Sequence, residues 1–176
     1  MRVAAVGALL GAMAMAAPRE LLAVEHEWHL GVAATYSRLV FDRSPTRNGL
    51  GGEALVRYGL TDAVDLSMSA WAAGFLEDQR LALGTSAGVA YVVDVSRWIP
   101  TIGAHVGVVD VVTTRCPEAY PELCAHDVRP MLAVPASLEF RAIDEVPLGL
   151  RFEYRLLLLG EPSSMLSFGV YGAFTL

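Results

Sequence analysis

Residues 53–73 read EALVRYGLTDAVDLSMSAWAA, and their apolar positions recur every second residue on both sides of a short turn. Ala54, Val56 and Tyr58 share one face against Glu53 and Arg57. After the turn at 59–63, Val64, Leu66, Met68 and Ala70 share a face against Asp65, Ser67 and Ser69. A period of two predicts half-buried strands, and Gly59 and Asp62 supply the chemistry of a tight turn between them.

The same alternation recurs along the chain. Residues 27–41 set Trp28, Leu30, Val32, Ala34 and Tyr36 against His29, Gly31, Ala33, Thr35 and Ser37. Residues 83–93 and 101–112 set Ala, Val, Ile and Tyr against Gly, Ser and His105. Residues 131–141 set Leu132, Val134, Ala136, Leu138 and Phe140 against Ala133, Ser137, Glu139 and Arg141. Residues 148–158 alternate most cleanly, with Leu148, Leu150, Phe152, Tyr154 and Leu156 against Gly149, Arg151, Glu153 and Arg155. Residues 164–176 close the series with Leu166, Phe168, Val170, Phe174 and Leu176 on one side. Eight such segments predict an all-β chain folded as an eight-stranded antiparallel up-and-down transmembrane β-barrel. The connections after strands two, four and six are short. Those after one, three and five (42–50, 75–81 and 114–130) are longer and more polar, and are expected at one end of the barrel. Pro135 inside a strand removes a ladder donor and predicts a bulge.

Composition sharpens this reading. Hydrophobic residues make up 54% of the 176 and charged residues 18%, with mean hydropathy +0.44, against roughly 25% charged in an ordinary soluble domain. Past residue 25 no apolar run approaches the roughly 20 residues of a membrane helix, so the surplus apolar surface falls at alternate positions, where lipid would cover it. The net charge of −6, without lysine or a basic run, argues against nucleic acid. Arg2, the apolar stretch 3–14 and Ala14-Met15-Ala16 fit a secretory signal peptide over 1–16, with 23 as the second cleavage position. That leaves an N-terminal periplasmic segment at 17–26 and the barrel at 27–176. Export makes a disulfide between Cys116 and Cys124 the natural reading, with a metal pair as its rival.

In an eight-stranded barrel the lumen just holds side chains. The narrow face of the strands then carries eight candidate lumen charges, four of each sign: Glu53, Arg57, Asp65, Glu139, Arg141, Arg151, Glu153 and Arg155. Buried charges must pair, so the set reads as a neutralised plug, with a narrow ion path as the sharper alternative. Trp28, Tyr58, Tyr91, Trp98, Phe140 and Phe174 collect at one rim as an expected aromatic girdle. Phe41, Trp71 and Phe75 are expected toward the other. His26-Glu27-Trp28-His29 lacks the spacing of a helical metal site, and no metal or cofactor is expected. His105 with Ser137 and Glu139 is chemically conceivable as a hydrolase triad, but nothing selects it over a bonded core histidine, and no catalytic residue is assigned.

Together the signal peptide, the alternating strands, the RYGLTDAVDL turn and a strand running to the last residue resemble the small outer-membrane β-barrels of Gram-negative bacteria, OmpA-type or OmpW-type in shape. That resemblance implies the bacterial outer membrane, a structural or surface-display role without catalysis, and a monomer in contact with outer-membrane lipid and lipopolysaccharide. A narrow channel or a transporter of a small apolar solute is the alternative. A lipid-modifying barrel enzyme and a soluble lipocalin-like binder stand further off. The resemblance also makes Phe174 and Leu176 an assembly signal read by the barrel assembly machinery, with Leu where the family has a terminal aromatic.

Overall fold

The computed structural model describes residues 26–41, 46–76, 79–93, 97–113, 126–143, 146–159 and 163–176. Eight strands follow one another: β1 (Trp28–Phe41), β2 (Arg47–Thr61), β3 (Val64–Phe75), β4 (Arg80–Val92), β5 (Trp98–Thr113), β6 (His126–Ile143), β7 (Val146–Leu157) and β8 (Ser163–Thr175). Each pairs antiparallel with its sequence neighbours, and β8 returns to β1, so the sheet closes without an edge. No helix among the described residues is long and apolar enough to cross a membrane.

The register sets the size of the barrel. Hydrogen-bonded partners lead from Val40 through Ser164, Leu156, Leu132, Val106, Ala87, Met68 and Val56 back to β1 at Leu30, ten residues from the start. With a rise of about 3.3 Å per residue and about 4.8 Å between strands, that offset tilts the strands by about 40° and gives a radius of about 8 Å. Each residue then climbs about 2.5 Å along the axis. A radius this small leaves room for one layer of side chains and little else.

Alternation sorts those side chains. Even-numbered residues of β1 point outward and odd-numbered ones inward, and the parity expected for every strand holds. Three features differ from expectation. The strands are longer, with β2 starting at Arg47, β5 at Trp98 and β6 at His126. Ladder bonds satisfy the backbone there even where the side chains are polar, so the connections shrink and Trp98 sits in a strand. Pro135 produces no bulge. The β5–β6 pairing lapses at Gly103 and Ala104, yet the register is the same on both sides of the gap. Irregularities fall instead at Gly59/Thr61 and Phe140/Ile143, beside the short turns. Finally, Trp71 and Phe75 point into the lumen, 6% and 1% exposed, because they continue the inward parity of Asp65, Ser67 and Ser69. The Phe41 side chain, Cys116, Cys124 and residues 1–25 lie outside the described residues.

Large inward side chains find space because a glycine stands directly opposite each on the next strand. Trp71 pairs with Gly84, His105 with Gly88 and Tyr171 with Gly149. A Cβ on Gly88 would meet His105 Cδ2 at 2.6 Å, and one on Gly149 would meet Tyr171 Cε1 at 2.7 Å. Rings lie flat across backbone that carries no side chain.

Candidate functional site: a stratified lumen and a belted wall

The lumen is built in layers. Nearest the end where β1 begins and β8 finishes, Arg57 pairs with Glu139 at 2.5 Å and faces Asp65 at 3.9 Å. Arg141 stands part-exposed at that mouth. His29 is buried beside it, its Nδ1 within 3.1 Å of the Thr175 hydroxyl. Further in, Arg151 grips Glu53 with two bonds, Nε at 3.0 Å and a terminal nitrogen at 2.8 Å, and the same nitrogen reaches Glu153 at 2.9 Å. Arg155 donates to Glu153 at 2.9 Å and to Ser167 at 2.7 Å. Its guanidinium carbon lies 4.2 Å from the centre of the Trp71 ring. Two arginines and two glutamates thus form a quartet of zero net charge in which every member is under 10% exposed. Fork-like two-bond gripping of a carboxylate is the strongest form of such a pair.

Beside the quartet, His105 Nε2 lies 2.6 Å from the Ser67 hydroxyl and Nδ1 3.2 Å from Ser86, which in turn meets Ser69 at 3.0 Å. His105 reaches Ser67 across Gly88. Ser137, the partner considered for it above, instead bonds Thr101. The described residues therefore bring together no His105–Ser137–Glu139 relay. They also hold no group of three or more His, Cys, Asp and Glu fit for a metal.

Above the ions lies an apolar disc. Leu39, Phe75, Val109, Met131, Leu157 and Met165, with Ala73 and Ala82, form one buried cluster. They come from seven strands, yet the register puts them within about 6 Å of one another along the axis. The sequence reading gave this stretch of lumen as small and ionic, and the structure corrects it. The disc closes the barrel on the side of the longer connections.

The outer wall is the inverse. Leu, Val, Ile, Phe and Tyr side chains stand exposed on all eight strands. Trp28, Tyr58, Tyr91, Trp98, Phe140 and Phe174 face outward within about 4 Å of one level. Trp28 packs on Tyr58 with ring centres 4.8 Å apart, and Trp98 on Phe140 at 4.7 Å. Ten residues up β1 stands Arg38, about 25 Å higher. Asn48, Asp110 and Ser164 face outward within about 3 Å of its level. Between the two levels no charged side chain of the described residues faces outward. Asp110 is paired with His126 at 2.8 Å. Phe174 and Leu176 are exposed on the wall at the terminus end.

Solved structures share this architecture. The chain is similar to Neisserial surface protein A, at 10% identity over 85% of this chain and 99% of that one, with a TM-score of 0.71. It is similar to the N-terminal β-barrel domain of Pseudomonas aeruginosa OprF, at 16% identity over 85% and 98%, TM-score 0.60. The attachment invasion locus protein Ail of Yersinia pestis also matches, at 16% identity over 86% and 99%, TM-score 0.58. No family model and no curated protein matches the chain. Its structural neighbours are small eight-stranded outer-membrane barrels, and at these identities the likeness is one of fold.

Proposed function

We propose that the protein is a bacterial outer-membrane barrel with a structural or surface-display role, sealed to solutes and without catalysis. One observation carries the reading: the outer wall has a charge-free belt about 25 Å high, the height of the apolar band on outer-membrane barrels. An aromatic ring bounds it at one level and polar side chains at the other. Exposed in water, so much contiguous apolar surface would drive aggregation. In lipid it is the stable arrangement. The lumen supports the seal, since mutually bonded ions there meet an apolar disc. The longer connections then face outward from the cell and are the surface available for display. Phe174 and Leu176, on the exposed face of the closing strand, are what the assembly machinery would read.

Cell fractionation with gel electrophoresis of boiled and unboiled samples tests the location. A heat-modifiable band extracted only by detergent is expected. Recovery in the soluble periplasmic fraction would overturn the proposal. Planar-bilayer recording tests the seal. No unitary conductance is expected from the folded protein, and regular single-channel steps would make it a channel.

A further inference from the structure

Arg38 stands apart from every other strand arginine. Arg47, Arg57, Arg80, Arg129, Arg141, Arg151 and Arg155 all occupy inward positions by strand parity, whereas Arg38 faces out from the wall and is exposed. Among the described residues no carboxylate pairs with it, and the outward carboxylate at its height, Asp110, is four strands away and engaged by His126. An unpaired guanidinium would be costly in the middle of the belt but costs little at the interface. The register puts Arg38 at that interface, where lipid phosphates lie.

Its neighbour is arranged to help. Asn48 is the direct cross-strand partner of Arg38. The Tyr36 hydroxyl donates to Asn48 Oδ1 at 2.7 Å, which engages the carbonyl oxygen of the amide and leaves its two N–H donors for another acceptor. On the other flank Ser164 lies diagonally across the β1–β8 ladder, within reach of a long side chain. The register puts one fixed positive charge and two neutral donors on three adjacent strands of the outer face, with apolar Leu166 as the other direct partner of Arg38 and Leu50 next along β2 on the same face.

We infer that Arg38, Asn48 and Ser164 form a binding site for the phosphate of a glycolipid in the outward leaflet, its acyl chains lying on the wall below. The inference rests on the outer-membrane reading. A guanidinium and an oriented amide suit phosphate because it accepts several charge-assisted bonds at once.

The test uses the full barrel refolded in detergent, with the thermal midpoint of the folded gel band as readout. Diphosphoryl lipid A, the same lipid with its phosphates removed, and inorganic phosphate are each titrated. Diphosphoryl lipid A is expected to raise the midpoint as a ligand of the folded state does, and the other two to leave it nearly unchanged. Arg38→Ala should weaken the diphosphoryl response by about tenfold or more, Asn48→Ala by less, and Arg38→Lys should retain part of it. Equal stabilisation by the dephosphorylated lipid, or an unaltered response in Arg38→Ala, would overturn the site. A matching effect of inorganic phosphate would overturn the glycolipid as its source. The wild-type comparison of the two lipids decides the matter even if a variant does not fold. A heat-modifiable membrane protein that ignores lipid A phosphates defeats this inference alone, whereas a soluble protein defeats the reading beneath it.

Discussion

Arg151→Met is the most informative single change in the lumen. Arg151 makes two bonds to Glu53 and one to Glu153, and all three residues are buried. Methionine occupies similar volume but removes the charge, so two carboxylates remain on Arg155 alone and the quartet falls from zero to minus one. Breaking a buried pair in this way costs about 3–5 kcal/mol, or two to four decades in the folding equilibrium. Removing Glu53 as well, in Arg151→Met/Glu53→Leu, restores neutrality and leaves the Arg155–Glu153 pair intact. The double variant is therefore expected to be more stable than the single one, recovering over half of the loss. Reversible urea unfolding in detergent or thin bilayers, followed by tryptophan fluorescence and gel mobility, gives the free energies. If Arg151→Met costs under about 1 kcal/mol, or the double variant loses the sum of the single losses, the quartet is not a coupled buried unit.

Other changes test other layers. Met68→Arg, outward near mid-belt, should cost about 2–4 kcal/mol, whereas Leu76→Arg beyond the belt should cost no more than about 1; the same unfolding titration distinguishes them. Gly84→Ala puts a methyl group within 2.9 Å of Trp71 Nε1, and the overpacking should cost about 1–3 kcal/mol and shift the fluorescence of that indole. Phe75→Ala opens the apolar disc and should cost about 3–5 kcal/mol, read as a lower midpoint of the heat-modifiable band. Ser67→Ala removes the closer partner of His105 and should cost about 1–3 kcal/mol, while an acyl-ester hydrolysis assay should show no turnover in either protein. Turnover in the wild type that the variant lost would turn the Ser67–His105 pair into a catalytic one.

Much of the barrel was legible in the chain. Period-two alternation gave the succession of strands and their inward and outward sets, because closure turns one face of every strand to the lumen and the other to the outside. Strand ends were less legible. Arg47, Asn48, His126 and Asp127 read as loop by polarity, but a ladder continues as long as a partner backbone is available, whatever the side chains. The disc escaped for a different reason. Leu39, Phe75, Val109 and Met131 each sit beside another apolar residue, so alternation fades where both faces turn apolar. The contacts of His105 were hidden because Ser67 and Ser86 lie on two other strands and only the register aligns them. One signal was available: inward glycines at 84, 88 and 149 each mark a place where a ring from the neighbouring strand lies down.

The apolar disc makes the two ends of the barrel unequal neighbours of water. Solvent can approach the ionic interior from the end where β1 begins, whereas from the other end it meets the inward Arg47, Arg80 and Arg129 and then the oily side chains they stand beside. The quartet's bonds are made by strand residues below the disc, away from the connections on that side. The sequence of those connections can drift, lengthen or be exchanged for a foreign epitope without disturbing the ions on which the closed cylinder stands.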